Sequence, residues 1–102
     1  MLTERQLAES AYGLACGLPG SLLESVAQAV LTTPVAMLRA EISKRVPQHH
    51  HRDLVLTFLE QWRVEGSHLS AQAVAVALQT AAISVQAHRE SQSVELVWTG
   101  PD

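Results

Sequence analysis

A run of alternation closes a chain that is otherwise patterned for helix. In Ser93-Val94-Glu95-Leu96-Val97-Trp98-Thr99-Gly100-Pro101-Asp102, Val94, Leu96 and Trp98 alternate with Glu95, Val97 and Thr99 before Gly-Pro ends the run. Period two with β-branched and aromatic residues predicts a β-strand over 93–98. A lone strand leaves its backbone donors and acceptors unmet, and even an isolated hairpin is marginal in water. The expected architecture is therefore all-α, a compact cluster of about five helices, followed by one strand that begins a sheet outside this chain. In this reading residues 1–92 form a helical N-terminal domain and residues 93–102 enter the first strand of a following domain.

Five helical segments precede the alternation. The first is expected over about 3–16: Thr3 caps it with Gln6 reaching back, and Leu7, Ala11, Leu14 and Leu18 share one face. Gly17 and Pro19-Gly20 end it, glycine suiting a left-handed cap. Ser21-Leu22-Leu23-Glu24 reads as a capping box for a second helix over 21–32, with Leu22, Val26, Ala29 and Val30 inward. Thr33 is the expected N-cap of a third over 34–46, with Pro34 in the first turn and Val35, Leu38, Ile42 and Val46 inward. The fourth, over 52–65, is the clearest, with Leu54, Val55, Phe58, Leu59 and Trp62 on one face and Gly66 as C-cap. Ser70 caps a fifth over 70–90 that is apolar nearly all round, so it is expected at the centre of the cluster.

Composition removes whole classes of function. With 102 residues the chain supports one small core, and a net charge of −3 offers no global attraction to nucleic acid or anionic membranes. The single cysteine, Cys16, excludes an internal disulfide and a multi-cysteine zinc site, and its neighbours Ala15 and Leu18 suggest a small buried hydrophobe. Glu4, Arg5 and Glu9 interrupt any signal-peptide core, which points to a cytoplasmic protein. The uncharged stretch 66–88 is long enough to span a bilayer, but alanine supplies most of its apolar content and Gln72, Gln79, Thr80, Ser84 and Gln86 interrupt it. No membrane association is expected.

The candidates for chemistry are few. His49-His50-His51 offers imidazoles, yet consecutive side chains diverge, and only His49 with Asp53 has the i, i+4 spacing of a helical ligand pair. The run is expected as a solvated loop without a metal. Arg39, Lys44, Arg45 and Arg52 form a local basic patch that could contact phosphates, diluted by Glu41 and Asp53 and lacking an aromatic to stack on bases. Helices two and three, joined by Thr32-Thr33-Pro34, are compatible with a helix-turn-helix, but the second offers few base-reading side chains beyond Arg39 and Lys44. Ser21, Thr33 and Ser70 read as caps, no glycine-rich phosphate loop occurs, and no carboxylates pair on one face. By itself the chain is not expected to be an enzyme, and no cofactor is implied.

The segment Arg89-Glu90-Ser91-Gln92-Ser93-Val94-Glu95-Leu96-Val97-Trp98-Thr99-Gly100-Pro101 resembles the entry into the catalytic part of phospholipase-D-like proteins of DISARM anti-phage defence islands, the DrmC type. Leu18-Pro19 after the first helix, and Leu69-Ser70, Ala77-Leu78 and Ala81-Ala82 before the strand, are similar to that family's layout. The resemblance implies a phosphodiesterase-superfamily parent in which paired His-x-Lys motifs supply a nucleophile and a general acid. No His-x-Lys occurs here, since His49-His50-His51-Arg52 and His88-Arg89-Glu90 lack the lysine, so no catalytic residue carries over. The implied role is a helical domain that supports the catalytic part, joined to it through Val94, Leu96 and Trp98, or that docks other defence-system proteins or nucleic acid. The alternative is a small freestanding DNA-binding or adaptor protein whose C-terminal strand pairs across a dimer.

Overall fold

The computed structural model describes the backbone of residues 1–99 and the side chains of residues 1–91. Five α-helices follow one another: α1 (Glu4–Cys16), α2 (Gly20–Thr32), α3 (Val35–Arg45), α4 (His49–Glu65) and α5 (Ala71–Thr99). The all-helical expectation is met throughout the described residues, and most helix limits fall within a residue of those read from the pattern. The strand expected over 93–98 is not formed. Its backbone continues α5, because a helix satisfies its own amides and carbonyls whereas an unpaired strand cannot. Residues 100–102, the end of that expected segment, lie outside the described residues.

The helices close into a ring. The principal interfaces are α5 with α1 and α2, α2 with α3, α3 with α4, and α4 with α1, so each helix packs on two others. Leu23, Val26, Ile42, Val46, Val55, Val74 and Leu78 are the largest side chains sealed inside. This corrects the expected position of α5. It is one wall of the ring, not its axle: Val74, Ala75, Leu78, Ala81 and Val85 point inward while Val76 and Ile83 face solvent. Two neighbours also explain α2, which turns Leu23 and Ala27 inward together with Val26, Ala29 and Val30 and leaves the expected Leu22 half-buried.

The caps were legible only in part. Thr3 and Gln6 make the expected reciprocal box, with Gln6 N–H donating to Thr3 Oγ1 at 3.2 Å and Thr3 N–H to Gln6 Oε1 at 2.9 Å. Ser70 Oγ accepts from Ala73 N–H at 3.1 Å, and the Gly66 amide closes α4 on the Trp62 carbonyl at 2.8 Å. Ser21, however, caps nothing. Pro19, with φ −61° and ψ 145°, is already the N-cap residue, and its carbonyl accepts from Leu22 and Leu23, so Ser21 falls inside α2. Pro34 likewise takes the N-cap place of α3, and Thr33 becomes the C-cap residue of α2. Proline's locked φ and extended ψ set the entry at the proline itself. Gly17 closes α1 from the right-handed region, φ −99° and ψ −3°, so no left-handed cap is needed.

Two links hold the ends of the ring together. Leu2, buried, donates its N–H to the Glu65 carbonyl at 2.9 Å, tying the N-terminus to the last turn of α4. Trp62 Nε1–H donates to the Leu69 carbonyl at 3.0 Å, which fixes the turn that launches α5. No helix among the described residues is long and apolar enough to cross a membrane.

Candidate functional site

A groove of about 360 Å3 lies between α3 and α4. Val35, Leu38, Leu56, Leu59 and Trp62 make its apolar floor, and Arg39, Glu60 and Arg63 its rim. The groove follows from how the two helices are loaded. Leu38 and Leu59 are drawn into the core, while Val35, expected inward, sits at the mouth of the groove with 57% of its surface exposed. Val35 is the first residue of α3, with no preceding turn of the helix beside it.

Charge on the rim is organised by one pair. Arg63 Nε–H donates to Glu60 Oε2 at 3.0 Å, and the Arg63 guanidinium also reaches Glu60 Oε1. This hydrogen bond is the largest cause holding the Glu60 carboxyl below its ordinary range, and Arg63 and Arg39 add favourable charge. The same bond raises the Arg63 guanidinium. Arg39 therefore joins the groove by charge, facing α4 across the floor.

The basic patch read from the sequence divides. Arg39 belongs to the rim just described. Arg45 turns the other way: its Nε–H donates to Glu41 Oε1 at 2.9 Å, and its Nη1 reaches the Ser25 carbonyl at 3.4 Å, fastening α3 to α2. Six residues of helix put Arg39 and Arg45 roughly 120° apart around the α3 axis, so they serve different interfaces. Arg52 is half-buried and its Nη2 lies 3.2 Å from His49 Nδ1. Lys44 is exposed.

The three histidines are not a loop, as the pattern suggested. Gln48 is the N-cap residue of α4, and His49, His50 and His51 form its first turn, three residues before the expected start at Arg52. His49 makes this start favourable: its Nε2 is 3.1 Å from Asp53 Oδ2, one turn on, while Nδ1 faces Arg52. A ring with its proton on Nε2 satisfies both contacts. His50 and His51 lie side by side with ring centroids 6.0 Å apart, and His51 Nδ1 is buried without a hydrogen-bond partner. Among the described residues no three His, Cys, Asp or Glu side chains converge on a common point.

Cys16, expected to be buried, is exposed at the end of α1. Leu14, Ala15 and Leu18 take the inward positions there, and Cys16 lies between them on the outer side of the turn. The groove was legible only as two apolar faces, since a face pattern does not say where two helices part. Compared with known proteins, the chain matches no family model, no curated protein and no solved structure.

Proposed function

We propose that the chain is a non-catalytic helical docking domain, the N-terminal part of a phospholipase-D-like protein of the DISARM anti-phage type, with the phosphodiesterase or nuclease chemistry carried by His-x-Lys motifs outside these residues. The observation that carries the docking role is the α3–α4 groove: an open apolar floor with a rim of Arg39, Glu60 and Arg63 is a surface made to be covered. The family assignment rests on the resemblance of residues 89–101. In this reading the catalytic part of the parent seats on the groove. Residues 93–98 take up strand pairing once that part offers a sheet edge, because pairing then satisfies the backbone groups that the helix otherwise satisfies. Other proteins of the same defence system are the second class of occupant.

The test is an NMR titration of the isotope-labelled chain with the separately produced catalytic part. The expected result is binding, with shifts centred on Val35, Leu56, Leu59 and Arg63, and loss of binding in Val35→Glu, an exposed position that the fold tolerates. Absence of binding, or shifts confined to α1 and α2, overturns the reading. Binding of duplex DNA through Lys44 and Arg52 that falls steeply with salt replaces it with a nucleic-acid role.

A further inference from the structure

The α3–α4 groove is positive over an apolar floor. Its rim sets two guanidinium groups, Arg39 and Arg63, against a single carboxylate, Glu60. Arg63 already engages both oxygens of that carboxylate. Arg39 acts on Glu60 only through space, and its exposed side chain joins no ion pair among the described residues. Helix α3 also begins at this groove, with Val35, and no side chain caps its first turn, so the positive end of its dipole adds to the same field. The balance calls for a negative group on whatever covers the floor.

The shape of the occupant follows from what the walls offer. Every lining residue belongs to α3 or α4, and away from their end turns these helices present no free backbone amides or carbonyls. An extended peptide laid across Val35 and Leu56 would find no strand edge and would bury its own amides unmet. A helix satisfies its backbone internally and offers an apolar groove a stripe of side chains. The α4 wall runs from Leu56 to Arg63, about 10 Å at the helical rise. That is two turns, the span of anchors at i, i+4 and i+7. Nucleic acid would supply negative charge but nothing apolar to cover the floor.

We propose that the groove takes an amphipathic helix of a partner, with its apolar stripe on the floor around Val35 and Leu56 and an Asp or Glu beside that stripe paired with Arg39. This rests on the docking role proposed above and adds the chemistry of the docked element, whichever protein carries it. Arg39 decides for an acidic flank, and Arg63 contributes less while Glu60 holds it. The pairing selects among partners more than it strengthens any one of them, because an exposed ion pair is worth little beside buried apolar anchors.

The test pans a display library of random peptides about 16 residues long, enough to form a helix on docking, against the whole chain. Selected binders should carry apolar residues at i, i+4 and i+7 with an Asp or Glu beside them, and should gain helical circular dichroism on binding. Val35→Glu should weaken them by at least about tenfold, and Arg39→Gln by about two- to fivefold. Glu60→Gln, which releases Arg63, should tighten them. Panning on Arg39→Glu should replace the acidic flank with Lys or Arg. Val35 and Arg39 are exposed, so a thermal melt of each variant should match the parent chain. No enriched binder, binders that stay extended, binders without an acidic flank, or affinity indifferent to Arg39→Gln overturns the proposal. Adhesion to phosphatidylcholine vesicles that Val35→Glu abolishes also overturns it, in favour of a lipid surface. The two readings fail separately. If the catalytic part does not bind while acidic helices are still selected, only the parent assignment falls. If the catalytic part binds regardless of the charge at Arg39, only this inference falls.

Discussion

Gly66→Ala probes the joint where the N-terminus meets the end of α4. Gly66 has φ −120° and ψ 24°, a region that alanine adopts, so backbone strain does not enter. Space does. A Cβ at Gly66 would lie 2.8 Å from Leu2 Cδ2, 3.3 Å from Leu2 Cβ and 3.3 Å from the Trp62 carbonyl oxygen. Leu2 has little room to withdraw, being 3% exposed and held by the bond from its N–H to the Glu65 carbonyl. The least response is an off-rotamer Leu2, costing about 1 kcal/mol. The greatest is undocking of the side chain, which forfeits about 2–3 kcal/mol of burial. Alanine returns roughly 0.4–1 kcal/mol by narrowing the unfolded ensemble. These figures leave a net loss between about 0 and 2.5 kcal/mol, and because Leu2 is sealed and tied through its N–H the expected value lies in the upper part, about 1–2 kcal/mol, a fall in Tm of roughly 4–15 °C for a chain of this size.

Thermal and urea unfolding followed by circular dichroism measures this loss, and a double-mutant cycle with Leu2→Ala assigns it. Once the Leu2 methyls are gone the 2.8 Å clash no longer exists, so Gly66→Ala in that background should be nearly neutral or slightly stabilising. A neutral Gly66→Ala in the presence of Leu2, or an equal penalty with and without it, would refute the account of this joint.

Three further outcomes test the rest of the structure. Leu78→Ala empties a fully buried position in the wall that α5 presents to α1 and α2, and should cost about 2–5 kcal/mol in urea unfolding, depending on how far the helices close in. Trp62→Phe deletes the donor to the Leu69 carbonyl while keeping most of the ring volume; a loss of about 1–2 kcal/mol, with faster amide exchange across 66–70, is expected, and protection equal to the parent chain would show that the bond does not hold the turn. The Glu60 carboxyl, held low by Arg63, favours the fold at pH above the ordinary glutamate range, and that contribution disappears as pH falls through its lowered folded value. NMR titration should place the Glu60 midpoint below that of a free glutamate, and Arg63→Gln should raise it toward the ordinary range, with Arg39 still holding it down in part.

Which segments become helix could be read from spacing alone, because each helix must bury one stripe and Leu7-Ala11-Leu14-Leu18 or Val55-Phe58-Leu59-Trp62 has no other use at a period near 3.6. Stops were equally legible at Gly66 and at Pro47. Starts were less so. Pro19 and Pro34 impose an extended entry that pre-empts the nearby Ser21 and Thr33, a competition between neighbouring residues that no single capping rule ranks. The first turn of α4 was missed because a run of histidines carries no periodic signal. What favours that turn is the contact of His49 with Asp53 and Arg52, which exists only once the helix forms. Of the candidate site, the sequence showed the basic residues but not their separation into a groove rim at Arg39 and an interhelical clasp at Arg45.

The sequence by itself determined five helices, most of their inward stripes and the absence of charge over 66–88, since these depend on residue type and on spacing of a few positions. Only the tertiary structure decided that the helices close as a ring. That closure makes α5 a wall with one side to solvent, and it opens a groove where α3 and α4 part. It also decided the backbone of 93–98, where alternation favours a strand but a strand needs a neighbouring edge. With none beside it the chain continues as helix, which satisfies its own hydrogen bonds.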